Sequence, residues 1–144
     1  MINRLAPLLL LIGIAAAQDC TASDGTPGII LMGECYSIEN TTAIDRSWDN
    51  LPGTIPPEIG LLTNLTYLNL CCNQLTGDIP PEIGNLINLT YMDLHYNQLT
   101  VIPPEIGDLT SLTHLDLHMA VTGPHTGDAI PSEIGNLTNL TYLN

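Results

Sequence analysis

The stretch that decides the fold runs from residue 65 to residue 111, where one unit is written twice. Residues 65–88 read LTYLNLCCNQLTGDIPPEIGNLIN, and residues 89–111 read LTYMDLHYNQLTVIPPEIGDLTS. A third unit, LTHLDLHMAVTGPHTGDAIPSEIGNLTN, follows over residues 112–139, and another begins at Leu140. Residues 51–64 form the second half of an earlier unit, whose first half is degenerate from Thr41. A repeat of 23 to 28 residues is typical of a solenoid, which adds one coil per unit.

Each unit begins with the pattern of a short strand. Leucines at 65, 68 and 70 are separated by polar residues, and a period of two predicts one buried face. Asn73 follows at a turn, where its amide can bond backbone groups of neighbouring coils. The Pro-Pro pair that comes next lacks backbone N–H donors, so it predicts an extended or short helical segment and not sheet. One coil alone leaves its leucines in water, so stacking in a parallel sheet, with strands ~4.8 Å apart, is expected.

The pattern LxxLxLxxNxLTGxIPxEIGNLxN resembles the plant-type leucine-rich repeat of receptor-like-kinase ectodomains and polygalacturonase-inhibiting proteins. The resemblance covers residues 51–144 and recurs in register. It implies an α/β solenoid, a right-handed superhelix with a parallel β-sheet on the concave face and short helical or extended convex segments. It also implies a protein- or ligand-binding role. No phosphate loop, GxSxG, HExxH or CxxC motif and no nucleophile–base set occurs in the sequence, so no enzymatic activity is expected.

The N-terminal part divides into two segments. Residues 1–17 combine a cation, an apolar run and a small-residue site, which is the layout of a cleaved secretory signal; their 13-residue apolar run is short for the ~20 residues of a membrane span. Residues 18–50 are interpreted as a capping region with a degenerate first repeat. An exported chain is secreted or displayed at the cell surface, where disulfides are stable.

Four cysteines remain after the signal. Cys20 and Cys35 flank a loop of about 15 residues, and a disulfide between them is expected to stabilise it. Cys71 and Cys72 are adjacent, which strains a mutual disulfide, so they are expected to be free or paired with another chain. The family's usual paired-cysteine cap is not matched cleanly by Cys20, Cys35 and Trp48.

The charge balance excludes two classes of partner. Fifteen acidic residues stand against two arginines, Arg4 and Arg46, and the net charge is −13 at pH 7 with histidine neutral. Nucleic-acid backbones and anionic lipid surfaces are both bound through Lys and Arg. We therefore expect no nucleic-acid partner and no electrostatic docking onto membranes.

Strand residues that face away from the core are expected to stack into columns on the concave face. The columns supply the candidate binding residues Tyr67, Asn69, Tyr91, Asp93, His95, His114, Asp116, His118 and Tyr142. The aromatic column resembles a platform for a peptide or a sugar. The alternative is that Tyr recurs simply because it favours strands.

A metal site is the sharper hypothesis. The triplet Asp-Leu-His occurs at residues 93–95 and again at 116–118, on strands expected to be adjacent. Asp93, His95, Asp116 and His118 would then offer two carboxylates and two imidazoles to zinc or a similar divalent cation. The alternative is that the pairs merely hydrogen-bond. A metal-dependent enzyme would rest on these triplets alone, and no other cofactor is indicated.

Three further features have both a functional and a structural interpretation. The insertion at residues 121–128 is either a functional loop or an insertion that the solenoid tolerates. One glutamate recurs in each unit, and this acidic ladder is either a cation-binding stripe or a solvated convex face. Its members are Glu58, Glu82, Glu105 and Glu133. Five N-x-[ST] sequons are candidate glycosylation sites, although most follow from the repeated NLT text. They are Asn40, Asn64, Asn88, Asn136 and Asn139.

The sequence therefore predicts a secreted or cell-surface binding module that recognises a protein or glycan through its concave face. It is either a small protein or a piece of a larger receptor-like protein. The alternative is a structural repeat element of a cell-surface or wall-associated assembly. An unpaired edge at the last strand, near Asn144, predicts self-association.

Overall fold

The computed structural model describes residues 19–121 and 130–144, and eleven strands lie within them. In chain order they are β1 Asp19–Thr21, β2 Pro27–Leu31, β3 Glu34–Ser37, β4 Ala43–Asp45, β5 Pro52–Gly53, β6 Tyr67–Asn69, β7 Gln74–Gly77, β8 Tyr91–Asp93, β9 Gln98–Leu99, β10 His114–Asp116 and β11 Tyr142–Leu143. The predicted signal at residues 1–17 and most of the insertion at 121–128 lie outside the described residues. In the part described, no helix has the length and apolar character needed to cross a membrane.

An antiparallel sheet precedes the coils. Its strands run in the order β1-β2-β3, and the predicted disulfide between Cys20 and Cys35 is present in it. On β2, Ile29 and Leu31 are fully buried and belong to the same apolar cluster as the leucines of the repeats. The capping region therefore covers one end of the solenoid interior.

The predicted parallel sheet forms the concave face. Its strand order is β4-β6-β8-β10-β11, and every pair is parallel. The register aligns equivalent residues of successive units, so that Tyr67 lies opposite Tyr91 and Tyr91 opposite His114. The degenerate first unit supplies β4, although its text matches the repeat poorly.

A second parallel sheet was not predicted from the sequence. It contains β5, β7 and β9, and it lies just after the turn of each coil. Its strands are only two to four residues long, and Gly53 and Gly77 within them have positive φ values. Such short, glycine-containing segments lack the alternation that identifies a strand in sequence.

The Pro-Pro segments begin short helices, as predicted. Three of the helices follow a Pro-Pro pair and the fourth follows Pro131, whose neighbour is Ser132; in all four the N-cap proline is extended and the helix has five residues of 3-10 type. A 3-10 helix tolerates proline in its first turn because those N–H groups have no helical partner. The helices are Pro57–Leu61, Pro81–Asn85, Pro104–Asp108 and Ser132–Asn136.

One continuous apolar interior runs through the stacked coils. Leu65, Leu68 and Leu70 are each fully buried, and so are their equivalents Leu89, Met92 and Leu94 in the next unit. Burial weakens in the last coil, where Leu143 is 52% exposed. The predicted faces of the strands are therefore confirmed.

Buried asparagines connect the turn of one coil to the next. The Asn97 amide nitrogen donates to the backbone carbonyls of Leu70 and Leu94, at 3.0 and 2.8 Å, and its oxygen accepts the N–H of Leu75. Asn73 makes the equivalent bonds one coil earlier. In the third unit, Ala120 stands at this position, and its backbone carbonyl accepts the Leu99 N–H at 2.8 Å. At each of these turns, the N–H of Leu51, Leu75 or Leu99 therefore donates to a carbonyl of the next turn.

Glycines allow the convex helices to stack closely. A Cβ atom added at Gly60 would lie 2.5 Å from the Glu82 carbonyl oxygen and 2.7 Å from the Glu82 Cβ. Gly84 and Gly107 approach Glu105 and Glu133 in the same way, whereas Gly135 has nothing within 4 Å. The glycine of the PEIG motif is therefore required because the helices of successive coils lie too close together for a side chain at this position.

We predict that Gly60→Ala destabilises the protein, because the added methyl group overlaps backbone atoms that cannot rotate away. The expected loss in free energy of unfolding is ~1–3 kcal/mol, measured by chemical denaturation. Gly135→Ala is the matched control and is expected to be neutral or slightly stabilising. Equal losses in the two variants would contradict this account of coil spacing.

Asn97→Ala is expected to lower the free energy of unfolding by ~2–4 kcal/mol. The substitution leaves the Leu75 N–H without its acceptor and the Leu94 carbonyl without the amide donor, whereas the Leu70 carbonyl keeps its bond from Asn73. The exposed neighbour Gln98 provides the control, and Gln98→Ala is expected to change stability by less than ~0.5 kcal/mol. Similar denaturation midpoints for both variants would refute a structural role for the amide.

Candidate functional site

A column of stacked rings occupies the concave face. Tyr67 and Tyr91 have ring centroids 4.5 Å apart, Tyr91 and His114 are 4.4 Å apart, and His114 and Tyr142 are 4.1 Å apart. The interplanar angles are 12°, 8° and 2°, so the rings lie almost parallel. Because each inner ring is covered on both faces, the column presents ring edges and polar atoms outward.

The neighbouring column of Asn and Asp residues shapes the backbone at the end of each strand. Asp93 Oδ1 accepts the N–H of His95 at 3.0 Å, and Asp116 Oδ1 accepts the N–H of His118 at the same distance. Asn69 makes the equivalent bond to the Cys71 N–H. These are Asx turns, which explain why only Asp or Asn recurs here.

The two columns are also bonded to each other. The Tyr91 hydroxyl donates to Asp93 Oδ2 at 3.3 Å, and the Tyr142 hydroxyl donates to Asp116 Oδ2 at 3.2 Å. Burial, reinforced by the Asp93 carboxylate, raises the pKa of Tyr91 to about 12. The phenol therefore stays protonated and remains a donor at neutral pH.

The expectation that the whole concave column is open to solvent is wrong for its carboxylates. Asp93 is 6% exposed and Asp116 is 9% exposed, because the tyrosine rings and the next strand cover them. Cys71, which was expected to continue the outward column, is also buried. The sequence pattern gives the direction of a side chain but not the bulk of its neighbours.

His95 lies at the meeting point of two clusters of potential metal ligands. Its Nδ1 is 2.6 Å from Asp93 Oδ1, and its Nε2 is 3.5 Å from the Cys72 sulfur. Ligand atoms of Asp93, His95 and Asp116 lie within 4.8 Å of one another, and so do those of Cys71, Cys72 and His95. Three of the four residues predicted as metal ligands are thus brought together.

The fourth predicted ligand, His118, belongs to neither cluster. Its ring is exposed and packs edge-on against Tyr96, with centroids 5.9 Å apart. The thiols of Cys71 and Cys72 form the second cluster with His95, from the coil on the other side of it. Burial raises the pKa of the Cys71 thiol to about 12, with Cys72 and Asp93 as secondary causes, so this thiol is protonated in the free protein.

A ridge of left-handed residues borders the concave sheet and was missed in the sequence. Its members stand at the same place in successive units, immediately before the turn residue, and each has a φ near +55°. Three of them expose large side chains: Trp48 is 75% exposed, Tyr96 51% and Met119 57%. The four members of this edge ridge are Trp48, Cys72, Tyr96 and Met119.

The edge ridge combines backbone strain with exposed apolar area. Non-glycine residues rarely adopt positive φ, and bulky ones less often than Asn or Gly. The backbones of Trp48, Cys72 and Tyr96 are each fixed by the coil that follows, for example by the 3.0 Å bond from the Tyr96 N–H to the His118 carbonyl. Alignment of the units places Trp, Cys, Tyr and Met in one column, but it does not reveal that their backbones are left-handed.

Positive charge is confined in the described part of the chain. Arg46, the one arginine there, contacts Asp49 and lies 3.5 Å from Glu34. Bonds to Asp49 and to the Tyr36 hydroxyl raise the pKa of the Arg46 guanidinium. Its charge is therefore offset locally, and the concave face retains the unpaired negative charge of Asp116.

The sequons differ in the bonds that their amides make. Asn64, Asn88 and Asn139 each donate to a backbone carbonyl of the preceding coil at 2.8–2.9 Å, and Asn40 donates to Asp24. Within the described residues, the Asn136 side-chain amide makes no hydrogen bond. All five are exposed, and their glycosylation stays a prediction.

The acidic ladder is less open than a solvated face would be. All four glutamates, at 58, 82, 105 and 133, are half-buried. For Glu82, Glu105 and Glu133, the Cβ atom packs against a glycine of the preceding helix. Of the insertion, only Val121 is described; it bridges to Leu99 in the second sheet. His125 lies outside the described residues.

Solved structures of plant receptors are similar to this chain. The ectodomain of the Arabidopsis thaliana membrane receptor kinase GASSHO1/SCHENGEN3, in complex with CASPARIAN STRIP INTEGRITY FACTOR 2, is 36% identical, with a TM-score of 0.55 over 65% of this chain. The PEPR1–AtPEP1 structure is 38% identical, with a TM-score of 0.63 over 73% of this chain. The Arabidopsis HAESA ectodomain, in complex with an IDA peptide hormone ligand, is 34% identical, with a TM-score of 0.56 over 63% of this chain.

The chain spans only part of these receptors, covering 11%, 14% and 15% of the three solved chains. Comparison with curated proteins finds no match. The family described as leucine-rich repeat region matches residues 53–144, which is more than half of the chain. With the stacked coils, the shared leucine interior and this match, the chain belongs to the leucine-rich repeat family.

Proposed function

We propose that the chain is a protein-binding module, secreted or displayed at the cell surface, whose concave face recognises an extended peptide segment carrying basic side chains. The observation that carries the proposal is the ring column, which offers four aligned edges beside acidic groups. Two of the similar solved structures are receptor ectodomains in complex with a named ligand, one of them a peptide hormone. The signal-like residues 1–17 support export.

The form of the ring column favours a peptide over a glycan. A sugar that packs on an aromatic residue requires an open ring face, whereas Tyr91 and His114 have both faces covered. The edges instead offer hydrogen-bonding atoms at the spacing of the strands. An extended peptide crossing the strands meets one such edge per coil.

Charge favours a basic ligand. The chain carries a net charge of −13, and Arg46 is held between Glu34 and Asp49. Association with a cationic peptide is therefore electrostatically steered, and salt reduces it by screening. Asp116 adds negative charge beside the Tyr142 hydroxyl, although the residue itself is only 9% exposed and acts on a ligand through its field rather than by direct contact.

The edge ridge supplies the apolar part of the interface. Aromatic residues that lose solvent on binding are commonly the largest contributors to affinity. Tyr96 is exposed beside His95 and His118, where its ring can be covered by a ligand lying along the sheet. The ridge residues are pre-ordered by their backbone bonds, which lowers the entropy cost of binding.

A structural role in a repeat assembly is the competing proposal. Exposed Ile130 and Leu143 in the last coil favour contact between copies. Sedimentation at several concentrations distinguishes the two functions. A monomer at all concentrations contradicts assembly, whereas concentration-dependent oligomers that exclude peptide contradict the binding module.

We predict that a random displayed-peptide library selected on the purified protein is enriched in Lys and Arg. The affinity of a selected peptide is expected to fall in high salt. Tyr96→Asn is expected to weaken it by at least ~10-fold, because the exposed ring is lost while Asn tolerates the left-handed backbone. Fluorescence anisotropy of the labelled peptide measures both effects.

Ile87→Ala is the matched control, because Ile87 is 56% exposed and lies beside the convex helices. It is expected to leave peptide affinity unchanged. Selection of neutral or acidic peptides, or equal losses in the two variants, would contradict the proposal. Binding on a glycan array without peptide binding would replace it by glycan recognition.

A further inference from the structure

We propose that Cys71, Cys72 and His95 form a zinc-binding site at the edge of the concave face, with Asp93 as the positioning residue for His95. Two thiols and an imidazole are the ligands that zinc prefers in proteins. This site is independent of the proposed peptide recognition. It also differs from the carboxylate-rich set predicted from the sequence.

The distances fit tetrahedral coordination. Zinc binds sulfur at ~2.3 Å and imidazole nitrogen at ~2.0–2.1 Å, which places the two ligand atoms ~3.5 Å apart in a tetrahedron. The Cys72 sulfur and His95 Nε2 are 3.5 Å apart. Ligand atoms of all three residues lie within 4.8 Å of one another, so small side-chain rotations complete the site.

The repeat geometry explains why adjacent cysteines converge. In an extended chain, consecutive side chains point to opposite faces. Cys72 instead has a φ of +59°, and the Asx turn of Asn69 fixes the backbone at Cys71. The next coil then brings His95 alongside, because the Cys72 N–H donates to the His95 carbonyl at 2.9 Å.

Asp93 determines which imidazole nitrogen is available. Its Oδ1 is 2.6 Å from His95 Nδ1, so that nitrogen is occupied as a donor and Nε2 faces the thiols. A carboxylate bonded to the other ring nitrogen is the usual support of a metal-bound histidine. The alternative site, formed by Asp93, His95 and Asp116, is less suitable. A metal ion there would break the bond between Asp93 and His95 Nδ1. Both carboxylates also already accept hydrogen bonds from Asx-turn N–H groups and tyrosine hydroxyls.

Three protein ligands leave a fourth coordination position open. His95 has a side chain that is 25% exposed, and Cys72 is half-buried, so water can reach the ion. Zinc binding releases the protons of both the Cys71 and the Cys72 thiol to solvent, so that each sulfur coordinates as a thiolate. A structural site would have four protein ligands, whereas this one has the form of a site that takes an exchangeable ligand.

The test uses the full chain with its Cys20–Cys35 disulfide intact. Thiol counting after unfolding is expected to give two free thiols, and elemental analysis after zinc loading and dialysis one zinc per chain. Cobalt substitution is expected to give thiolate charge-transfer absorption with the pattern of a tetrahedral ion. Cys72→Ser and His95→Gln are expected to abolish stoichiometric binding.

Two further variants separate ligation from positioning. His118→Gln is the matched control, since this exposed histidine lies outside the cluster, and it is expected to retain full zinc binding. Asp93→Asn keeps the Asx-turn acceptor, as Asn69 does naturally, and is expected to weaken zinc ~10–100-fold with an unchanged cobalt spectrum. Circular dichroism checks that each variant is folded.

Four results would overturn the proposal. They are an absence of free thiols, substoichiometric zinc, a cobalt spectrum without thiolate absorption, and equal losses in the His95→Gln and His118→Gln variants. Full zinc affinity in Asp93→Asn would remove the positioning role of Asp93.

Discussion

Every coil leaves polar backbone groups at its turn that only the neighbouring coil can satisfy. The amides of Asn73 and Asn97 carry out this task, joining carbonyls of two coils and accepting an N–H from the earlier one. Threonine hydroxyls repeat the principle before each strand, where Thr90 donates to the Thr66 carbonyl at 2.9 Å. Since a buried unpaired group costs ~1–3 kcal/mol, a shift of register between coils is strongly disfavoured.

A fixed register turns repetition in sequence into columns in space. Equivalent residues lie opposite each other in the sheet, so the residues at one position of successive units together determine one strip of the surface. Columns that serve the backbone admit few residue types, as the Asx-turn column does with Asp and Asn. Columns whose side chains do not bond the backbone can vary in residue type and are available for ligand binding. They include the ring column, the column of Cys71, His95 and His118, and the edge ridge.

The free columns meet around His95. Its ring packs edge-on against Tyr96 of the ridge, bonds Asp93 of the Asx-turn column and approaches the Cys72 thiol. Chemistry is thus concentrated between the coils of residues 65–88 and 89–111, where the thiols of Cys71 and Cys72 approach the imidazole of His95. Peptide recognition and metal binding are proposed for adjacent parts of one face.

The fold was predictable because its determinants are local or periodic. Leu68, Asn73 and the Pro-Pro pairs each act at a fixed place in the unit, and the structure confirms strand, turn and 3-10 helix there. The covering of Asp93 by rings was not predictable, because it depends on how side chains from two strands pack.

The thiol–imidazole contact was equally hidden. It requires the left-handed conformation of Cys72, which no composition or period indicates. The second sheet escaped prediction for a similar reason, since strands of two to four residues carry too little pattern. Sequence periodicity indicates which position of the unit each residue occupies, whereas the zinc site depends on distances between side chains of neighbouring coils.

Native-state hydrogen exchange tests most directly whether the coils depend on one another. The N–H groups of Leu51, Leu75 and Leu99 each bond a carbonyl of the next turn: the side-chain carbonyls of Asn73 and Asn97, and the backbone carbonyl of Ala120. If the interior is shared, all three exchange with one free energy of opening, equal to that of global unfolding. Exchange of Leu75 through a much cheaper opening, while Leu51 and Leu99 stay protected, would show that a coil opens alone and would contradict the account.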